Sequence, residues 1–573
     1  MLIASFAEPG QADRAAARHA DGLVRLGPTL LLWRDADHGA GRWPAVPDPL
    51  VGLQGDIVDR RDACRLSATA VAAALAAQGV AAFADWAPPF RLAWQDGDTV
   101  RAAADHPGLG HWFTWAGPGV AAIGDSATAI ARRFGLGIDT MALAGLALTG
   151  AMVGLDSAVA GVGKLAAGHI AELAGGCLAM VAMPPPSRLA APEDAIAAAV
   201  ARLRAAHETA EIELSGGWDS RLMLAALPAA DRPSTTGFTI GTPDAPDVIV
   251  AARLAAHAGM QHVIVDQSAL ARLSAADFAA VLHSAAARDD FTANPLDRAG
   301  VNVINAGRPP VARFSGQNGE ILRGFYYPGQ PLDAAPSAAL AARVIGWRII
   351  SNDLVSPALF DPAWLAAARA TITARLTDQL LGGDDASWGA ALDRFYLEQR
   401  MHRWCGTAVS ATLGRRPVLL PFFDADVLAL ARVTPPAQKN ASRFVAQEIA
   451  RLDPGLAAIA LDSGLVPAAV ARGGVGNRVA QARRFVAKAT AKLQQRLSAR
   501  DRATIGSATA GSLALRHGLN GAIDVDRLAD SGIFNRDALV AFARGDATPG
   551  RATLGFVLTV DQLLATLMSG DGA

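Results

Sequence analysis

Cysteine is scarce in this chain. Its 573 residues include three cysteines, Cys64, Cys177 and Cys405, which lie far apart and form no CxxC pair. An odd number of isolated cysteines argues against a disulfide framework and against a cysteine-based zinc site. This usage is typical of proteins from a reducing compartment, so we expect a cytoplasmic protein.

A charge excess and a long apolar run are also missing. The chain has 52 Lys and Arg against 53 Asp and Glu, a formal net charge of −1, so it lacks the general attraction to nucleic acid of a basic protein. Its start, MLIASFAEPG, has no basic segment followed by an apolar core, as a signal peptide needs. The longest uncharged apolar run, TMALAGLALTGAMVGL between Asp139 and Asp156, is shorter than the roughly 20 residues that span a bilayer. We expect neither nucleic acid nor a membrane as a partner.

Three consecutive prolines, Pro184 to Pro186, mark the clearest seam in the sequence. Before them, short apolar runs are separated by Gly and Pro, as in FRLAWQDGDTVRAAADHPG, which predicts strands and turns. After them, Ala- and Leu-rich helical patterns alternate with the β-type runs AEIELSG, STTGFTIG, QHVIVD and VARFSG, which predicts a parallel sheet covered by helices. We predict an α/β protein, with a β-rich α+β domain over residues 1–183 and a parallel-sheet domain with a helical C-terminal part over residues 184–573.

The stretch AEIELSGGWDSRLMLAAL, residues 210–227, joins an apolar strand to a helix-forming segment through a polar loop. Gly216 and Gly217 can adopt backbone angles closed to other residues, and they let main-chain N–H groups face inward as an anion nest. The helix after the loop adds unpaired N–H groups and the positive end of its dipole. Ser215 and Ser220 add hydroxyl donors. Together these features predict a phosphate site.

Asp219 does not fit a loop that binds phosphate alone. A carboxylate beside phosphates repels them unless a hard cation lies between, and Mg²⁺ is the natural cation. The loop lacks the lysine of a Walker A sequence, so it is a different kind of nucleotide loop. The competing interpretation is an ordinary helix N-cap by Asp219 or Ser220. The complete Ser-Gly-Gly-x-Asp-Ser set between a strand and a helix favours nucleotide binding.

The segment LSGGWDS resembles the pyrophosphate loop of the asparagine synthetase superfamily, which includes glutamine-dependent asparagine synthetases, β-lactam synthetases and lasso peptide macrolactam cyclases. The resemblance implies a PP-loop ATP pyrophosphatase (adenine nucleotide α-hydrolase-like) fold, with ATP and Mg²⁺ as cofactors. A substrate carboxylate is adenylated, pyrophosphate leaves, and an amine attacks. The nucleotide-binding residues that it implies in the loop are Leu214, Ser215, Gly216, Gly217, Asp219 and Ser220.

Two further segments extend the resemblance to the nucleotide and the metal. GFTIGTPDAPDVIVAARLAAHAGMQHVIV looks like the family's second strand and helix, with Ile240 where the adenine packs. RFSGQNGEILRGFYY resembles a Ser-Gly-x-x-Gly-Asp-Glu segment, which implies Ser315 and Gly316 at the nucleotide and Glu320 as a catalytic metal ligand with Asp219. The usual Asp-Glu pair is Gly319-Glu320 in this chain, so one acidic ligand is missing.

Two later segments resemble the far side of the family's pocket. GRRPVLLPFFDADVLALARVTPP is similar to an Arg-x-Pro-Phe-Leu-Asp segment, and we expect Pro421 to Asp424 to shape the pocket. The family places a phosphate-binding lysine near the start of the helix in QKNASRFVAQEIARL, where Lys439 or Arg443 can serve. Arg443 aligns better, and we expect it to stabilise charge on the departing pyrophosphate. The family's later lysine has no clear counterpart in LDSGLVPAAVARGG.

The first domain resembles the family's Ntn-type glutamine amidotransferase domain, because GDIVDRRDAC, FRLAWQDGD, DHPGLGHWFTW and GVGKLAAGHI occur in the family's order. The resemblance thus runs from about Leu50 to Gly464. A glutaminase of this kind uses an N-terminal cysteine whose own amine acts as base. Leu2 stands at that position, and Cys64 is interior to the chain. A degenerate domain without glutaminase activity, serving as a scaffold or docking surface, is therefore implied.

Without ammonia from glutamine, the amine must come with the substrate, as in lasso cyclases and β-lactam synthetases. We predict a carbon–nitrogen ligase that forms AMP and pyrophosphate, most like a lasso peptide cyclase. Its partners would be a precursor (core) peptide and a leader peptidase or precursor-recognition protein. The alternatives are a β-lactam synthetase-like cyclase, an intermolecular amide ligase, and a non-catalytic docking protein with a degenerate loop. The intact loop argues against the last.

Two more features bear on the substrate. In YLEQRMHRW, helical spacing places Glu398 and His402 on one face, where either can accept the amine's proton, or both can belong to an exposed ion-pair cluster. In NRVAQARRFVAKATAKLQQRLSARDR, a basic row has a four-residue spacing, with Arg484, Lys488, Lys492 and Arg496. Like charges so spaced repel by roughly a few tenths of a kcal/mol per pair. This row is either a solvated face or a site for an anionic partner.

Overall fold

The computed structural model describes residues 1–34, 43–266, 268–306, 308, 310–350, 355–473, 505–546 and 548–569. The basic row of Arg484, Lys488, Lys492 and Arg496 lies outside the described residues. The described part of the chain is a mixed α/β protein with antiparallel sheets of six, five and three strands, a five-stranded parallel sheet and a helical C-terminal part.

The strands fall into two groups, one on either side of the three prolines. The first group is β1 (Leu2–Phe6), β2 (Leu23–Arg25), β3 (Leu30–Trp33), β4 (Leu50–Gln54), β5 (Val58–Asp59), β6 (Cys64–Arg65), β7 (Trp86–Ala87), β8 (Arg91–Asp96), β9 (Thr99–Ala104), β10 (Phe113–Gly117), β11 (Val120–Gly124), β12 (Gly163–Lys164), β13 (His169–Ala174) and β14 (Cys177–Ala182). The second group is β15 (Ala210–Glu213), β16 (Thr235–Ile240), β17 (His262–Val265), β18 (Ala312–Phe314) and β19 (Val418–Leu419).

Most of the helices follow the prolines. Those before them are α1 (Pro9–Arg18), α2 (Ala68–Gln78), α3 (Ala127–Phe134) and α4 (Thr140–Thr149). Those after them are α5 (Ala195–Ala205), α6 (Trp218–Ala226), α7 (Pro246–His257), α8 (Ser268–Ala271), α9 (Ala275–Arg288), α10 (Pro295–Ala306), α11 (Ala338–Val344), α12 (Pro362–Leu381), α13 (Trp388–Phe395), α14 (Gly406–Ser410), α15 (Ala425–Val433), α16 (Pro436–Lys439), α17 (Arg443–Leu452), α18 (Pro454–Ala458), α19 (Pro467–Arg472), α20 (Ile505–Arg516), α21 (Val525–Asp530), α22 (Arg536–Arg544) and α23 (Arg551–Met568). Two π-helical segments, Ile345–Ile349 and Tyr396–Cys405, continue α11 and α13.

Two antiparallel sheets face each other in the first part of the chain. Their strand orders are β12-β10-β11-β1-β3-β2 and β14-β13-β9-β8-β4. Apolar side chains of both sheets, such as Ile3 and Ala102, fill the space between them. Helices α1 and α3 cover the outer face of the first sheet, and α2 covers that of the second. The continuous apolar run of β1 follows from this arrangement, because both of its faces are buried. The β-rich character predicted for this part is confirmed.

The second sheet-forming part is parallel throughout, with the strand order β17-β16-β15-β18-β19. From β15 the chain adds β16 and then β17 on one side of this strand. It later adds β18 on the other side of β15. Between β15 and β18 the direction of winding reverses, which leaves a crevice at the carboxyl ends of these strands. The loops SGGWDS and SGQNGE follow β15 and β18, so both predicted nucleotide loops lie at this crevice. The predicted parallel sheet is confirmed.

Three apolar helical stretches contribute side chains to the cores. The longest uncharged run of the sequence forms α4, which packs on α12 and belongs to the core of the second part. Two others, Ala68–Asp85 and Arg551–Met568, are long and apolar enough by composition to span a membrane. The first contributes Val71 and Leu75 to the core over the second antiparallel sheet, and α23 contributes Val557 and Val560 to the large core.

Buried polar contacts join the two parts of the chain. Arg60 Nε donates to Asp424 Oδ2 at 3.0 Å, and its guanidinium lies 3.0 Å from Asp426 Oδ2. Asp424 lies in the segment that was predicted to shape the pocket. Its contact with Arg60 thus joins this segment to the first part of the chain. Asp290 accepts from the Ala127 N–H at 2.7 Å, at the first turn of α3. Helix α3 is therefore capped by a carboxylate from the other part of the chain.

Candidate active site

The loop after β15 is held by its own serines. Ser215 Oγ and Ser220 Oγ are 2.9 Å apart, the Ser215 N–H donates to Ser220 Oγ at 3.1 Å, and the Gly217 N–H donates to Ser215 Oγ at 3.2 Å. Leu214, just before the loop, is buried and its N–H donates to Phe238 O of β16 at 2.9 Å. The hydroxyls predicted to bind phosphate thus also set the curvature of the loop.

Glycine is needed in this loop for close approach and not for unusual backbone angles. Gly217 has φ −85°, and Gly216 does not have positive φ. A Cβ on Gly216 would lie 2.6 Å from Asp462 Cβ and 2.9 Å from Asp247 Oδ1. The Gly216 N–H donates to this same Asp247 oxygen at 2.6 Å. The prediction of special angles at these glycines is therefore wrong, whereas the predicted anion-facing amide is present and meets a carboxylate.

Asp219 and Glu320 come together at the crevice, with Arg323 between them. Arg323 Nε donates to Asp219 Oδ1 at 2.9 Å, and Arg323 Nη2 donates to Asp219 Oδ2 at 2.9 Å and to Glu320 Oε1 at 3.1 Å. The fourth carboxylate oxygen, Glu320 Oε2, accepts from the Tyr396 hydroxyl at 3.2 Å. One guanidinium nitrogen thus lies within hydrogen-bond distance of both predicted metal ligands.

Two small residues allow the loops after β15 and β18 to touch. A Cβ on Gly319 would lie 2.7 Å from both Cβ and Cγ of Asp219, and a Cβ on Gly316 would lie 3.2 Å from the Ser220 nitrogen. Gly319 stands where the family pattern led us to expect an aspartate. No larger side chain fits at position 319 without moving Asp219. The position of Asp219 therefore requires that the acidic side chain of the family pattern be absent at position 319.

The charges of this cluster are strongly coupled. Burial raises the pKa of Glu320, Arg323 opposes this rise, and the nearby Asp219 adds to it. Burial alone would lower the pKa of Arg323, but the charges of Asp219 and Glu320 outweigh it and raise the pKa above its ordinary value. The guanidinium therefore stays charged at any physiological pH.

The remaining predicted nucleotide residues lie at the ends of the neighbouring strands. Ile240 is the last residue of β16 and is half-buried. Ser315 follows β18, is buried, and donates its N–H to Leu419 O at 3.0 Å. Because β15, β16 and β18 are adjacent and parallel, their carboxyl ends bring these residues to the same edge of the sheet as the loop.

Arg443 is exposed at the first position of α17, which runs along α6. Asp453, directly after α17, pairs with Arg232 at 2.8 Å, and Arg232 Nε donates to Leu227 O at the end of α6. The C-terminal ends of the two helices therefore lie together. Helix α17 thus begins beside the N-terminal end of α6, which directly follows the loop. This places Arg443 on the same side of the sheet as the start of α6, and its predicted role at a phosphate stays a prediction.

The other predicted cation, Lys439, is used within the protein. It is buried, pairs with Asp393, and donates to Ala431 O at 2.9 Å. Between it and α17, Ala441 and Ser442 have φ of 58° and 60°. Consecutive left-handed residues without glycine are strained, and such strain clusters at functional sites. The kink separates the buried Lys439 from the exposed Arg443.

Glu398 and His402 do not share a face. Glu398 is exposed and pairs with Arg394 at 3.0 Å, whereas His402 is buried with its Nε2 against Lys164. The predicted common face is wrong, because Lys164 of the first part of the chain covers His402, whereas Glu398 stays at the surface beside Arg394. Among the described residues, Glu398 has no contact with Asp219 or Glu320, and its predicted catalytic role has no geometric support.

Four residues of the site were not predicted from the sequence. Arg323, Tyr396 and Asp247 hold the loop and the carboxylates, and Arg400 is among the charges that lower the pKa of Glu320. Arg323 follows Glu320 by three residues, a spacing that suggests a contact in any helical turn. Asp247 and Tyr396 had no comparable signal, because their partners are distant in the sequence.

Leu2, the residue that the family resemblance sets against a glutaminase nucleophile, is apolar and buried. Leu2 begins β1 and packs beneath α1 and α3, with 1% of its surface exposed. The three cysteines lie in β6, in β14 and in the π-helical segment. Burial raises the pKa of Cys405 to about 12, and the charge of Asp62 raises that of Cys64. Neither Cys64 nor Cys405 thus has the lowered thiol pKa of an activated nucleophile.

The arrangement fits a nucleotide with a hard cation. Carboxylate oxygens are the donors that Mg²⁺ prefers, and Asp219 and Glu320 converge on one position. Within the described ranges, no group of three or more His, Cys, Asp or Glu side chains could hold a metal. A cation between these two carboxylates would therefore need oxygens from a phosphate. A separate cavity of about 770 Å³ lies between Gln54–Asp56 and Leu413–Pro417, away from this cluster.

Comparison with known proteins bears on the same region. Residues 192–299 match the family model described as asparagine synthase. The match covers α5, β15, the SGGWDS loop, α6, β16 and Ile240. It supports a place for this chain in the asparagine synthetase superfamily, and with it ATP-dependent formation of an amide bond by a carbon–nitrogen ligase. No curated protein matches the chain.

Proposed function

We propose that this protein forms an amide bond through the acyl-adenylate of a carboxylate side chain, and that the product is the macrolactam (isopeptide) ring of a lasso peptide. The observation that carries the proposal is the meeting of the SGGWDS loop, Asp219 and Glu320 at the crevice of a parallel sheet. This favours a PP-loop pyrophosphatase domain over residues 184–573. The helix–sheet–sheet–helix layering of residues 1–183 favours a degenerate Ntn amidotransferase-like domain.

The proposed reaction has two steps. A carboxylate oxygen of the substrate attacks the α-phosphorus of ATP, the bond to the β-phosphate oxygen breaks, and pyrophosphate leaves. The amine nitrogen of the same peptide then attacks the acyl carbon, the bond to AMP breaks, and the amine releases a proton. Mg²⁺ held by Asp219 and Glu320 would neutralise phosphate charge. Arg443 stabilises charge on the departing pyrophosphate from the start of α17.

The amine source follows from the first domain. Leu2 lies in a core, and the pKa values of Cys64 and Cys405 are raised. We therefore expect no hydrolysis of glutamine and an amine nucleophile that belongs to the substrate. The partners proposed on this basis are a precursor peptide and a leader peptidase or precursor-recognition protein in the cytoplasm. Holding both ends of one peptide together offsets the entropy of closing a ring, which orientation in an enzyme can supply.

The test mixes the protein, ATP and Mg²⁺ with leader-free peptides that carry an Asp or Glu some residues from the N-terminus. We expect AMP and pyrophosphate, a product lighter by one water, and an N-terminal amine blocked to labelling. Replacing the acceptor Asp or Glu by Ala should abolish the product. Arg369→Gln, which changes an exposed residue of α12, serves as the matched control and should keep the activity.

The other outcomes decide between the alternatives. Cyclisation of a small amino-carboxylate while every peptide stays linear would indicate a β-lactam synthetase-like enzyme. Ligation of added amines alone would indicate an intermolecular ligase. Release of ADP would contradict the adenylation step. ATP binding without any turnover would indicate a non-catalytic docking protein.

A further inference from the structure

Arg400 is an arginine held between two aromatic rings. Its guanidinium carbon lies 4.3 Å from the centroid of Phe325 and 4.6 Å from that of Trp404, and we call these two rings the aromatic clamp. Arg348 Nη2 donates to Phe325 O at 2.8 Å, which fixes one side of the clamp. Contacts with ring faces position a guanidinium but leave its in-plane N–H donors open.

These donors have no acceptor among the described residues. In the part of the chain that the structure describes, Arg400 donates no side-chain hydrogen bond and forms no ion pair, and its Nε is buried without a partner. Glu320 acts on it electrostatically, but the oxygens of Glu320 already accept from Arg323 and Tyr396. A partly buried charge with unused donors is unfavourable unless an anionic group completes the site.

The clamp borders the carboxylate cluster. The rings of Phe325 and Tyr396 are 5.5 Å apart, and the Tyr396 hydroxyl contacts Glu320. Trp404 is 38% exposed, so the clamp is also open to solvent. An anionic group that enters from solvent and reaches Arg400 therefore arrives beside Asp219 and Glu320.

We propose that Arg400 binds the substrate carboxylate that is to be adenylated, the side chain of a peptide Asp or Glu. The planar guanidinium matches a carboxylate in a two-bond fork. The phosphates have other donors, namely the loop after β15 and Arg443 at the start of α17. This assignment rests on the proposed function, because it supplies the acyl group for that reaction.

The first test separates substrate binding from nucleotide binding. Arg400→Lys keeps the charge and loses the fork, Arg400→Gln loses both, and Arg369→Gln is the control for a lost surface charge. With an accepted peptide, we expect the peptide KM to rise about tenfold in Arg400→Lys and at least about a hundredfold in Arg400→Gln. The KM for ATP and the unfolding temperature should stay close to the wild-type values. A rise in the ATP KM alone would overturn the assignment.

The second test needs no turnover and uses defined probes. Phenylglyoxal labels Arg400 in the nucleotide-free protein, and mass mapping follows the adduct in the presence of N-acetyl-aspartate α-amide, its neutral asparagine counterpart, or inorganic pyrophosphate. We expect the aspartate probe alone to slow labelling. Equal protection by both amides, protection by pyrophosphate alone, or no protection overturns the proposal. If no peptide yields AMP, the proposed function fails, and selective protection by the aspartate probe still identifies a carboxylate site at Arg400.

Discussion

The guanidinium of Arg323 occupies the position that a cation would share between Asp219 and Glu320. Arg323→Gln keeps a polar side chain of similar reach and removes the charge. Because both carboxylates then lose their positive neighbour, we expect Mn²⁺ and Mg²⁺ to bind the nucleotide-free variant more tightly than they bind the wild-type protein.

The size of the effect follows from the bonds that a cation must displace. Arg323 makes three charged hydrogen bonds of 2.9, 2.9 and 3.1 Å to these carboxylates, and a hydrogen bond to a charged group contributes roughly 1.5–3 kcal/mol. The side chains of Arg323, Asp219 and Glu320 are 24%, 20% and 26% exposed, so water replaces part of each bond. We therefore count the whole set as no more than one such bond at its lower limit, about 1.5 kcal/mol, so that the expected effect is a minimum. This corresponds to a dissociation constant about tenfold lower in the variant.

Titration of the nucleotide-free protein with Mn²⁺, with the free ion followed by electron paramagnetic resonance, measures this affinity. Arg323→Lys keeps the charge and should remain close to wild type, and adding Asp219→Asn to Arg323→Gln should remove the gain. Metal should also raise the unfolding temperature of Arg323→Gln more than that of the wild-type protein. An unchanged affinity in Arg323→Gln would refute the reasoning, since it would show that the two carboxylates do not share a cation.

Three further predictions concern catalysis, the amine source and stability. Asp219→Ala should lower turnover at least a hundredfold, about 2.7 kcal/mol at the barrier, measured as pyrophosphate release; a loss below tenfold would contradict its role. Purified protein should release no glutamate from glutamine, with or without ATP, and Leu2→Cys should not restore this activity; glutamate from the wild-type protein would disprove the degenerate first domain. Burial lowers the pKa of His106 to about 4 from its ordinary 6.5, so its contribution to stability is complete above pH 6.5 and is lost as the pH falls toward 4. Urea unfolding at several pH values should show a shallower loss for His106→Gln, and identical slopes would contradict this assignment.

The sequence predicted the sheets better than the assembly of the cores. Gly- and Pro-separated apolar runs before Pro184, and alternating helical and β-type runs after it, reflect periodicities that each element imposes on its own side chains. The run Thr140–Thr149 shows where this reasoning ends. This helix is apolar on all sides, so its sequence predicts that it is buried. The sequence does not show that it packs on α12 in the large core that also contains the parallel sheet.

The candidate site also has a part that the sequence predicted and a part that it did not. The loops after β15 and β18 were predictable as neighbours once the strands were parallel, and Asp219 and Glu320 do meet there. Which group lies between them was not predictable, because hydrogen bonds form between side chains whose positions depend on the packed loops. The error at Glu398 and His402 has a related cause. Helical spacing does not show which side of a helix the first part of the chain covers, and Lys164 covers His402.

The π-helical segment Tyr396–Cys405 also shows how the first part of the chain contributes to the candidate site. Gln399 Nε2 donates to Met152 O at 2.6 Å, and the Gly154 N–H donates to Gln399 Oε1 at 2.9 Å. Arg403 donates to Asp156 O at 2.6 Å. The first part of the chain thus provides the backbone partners of a segment whose other face carries the Tyr396 hydroxyl to Glu320. Without these partners, two buried polar side chains would lose their hydrogen bonds, which is unfavourable enough to displace the segment. The first part of the chain is therefore a structural component of the candidate site, whether or not its surface also binds a peptide.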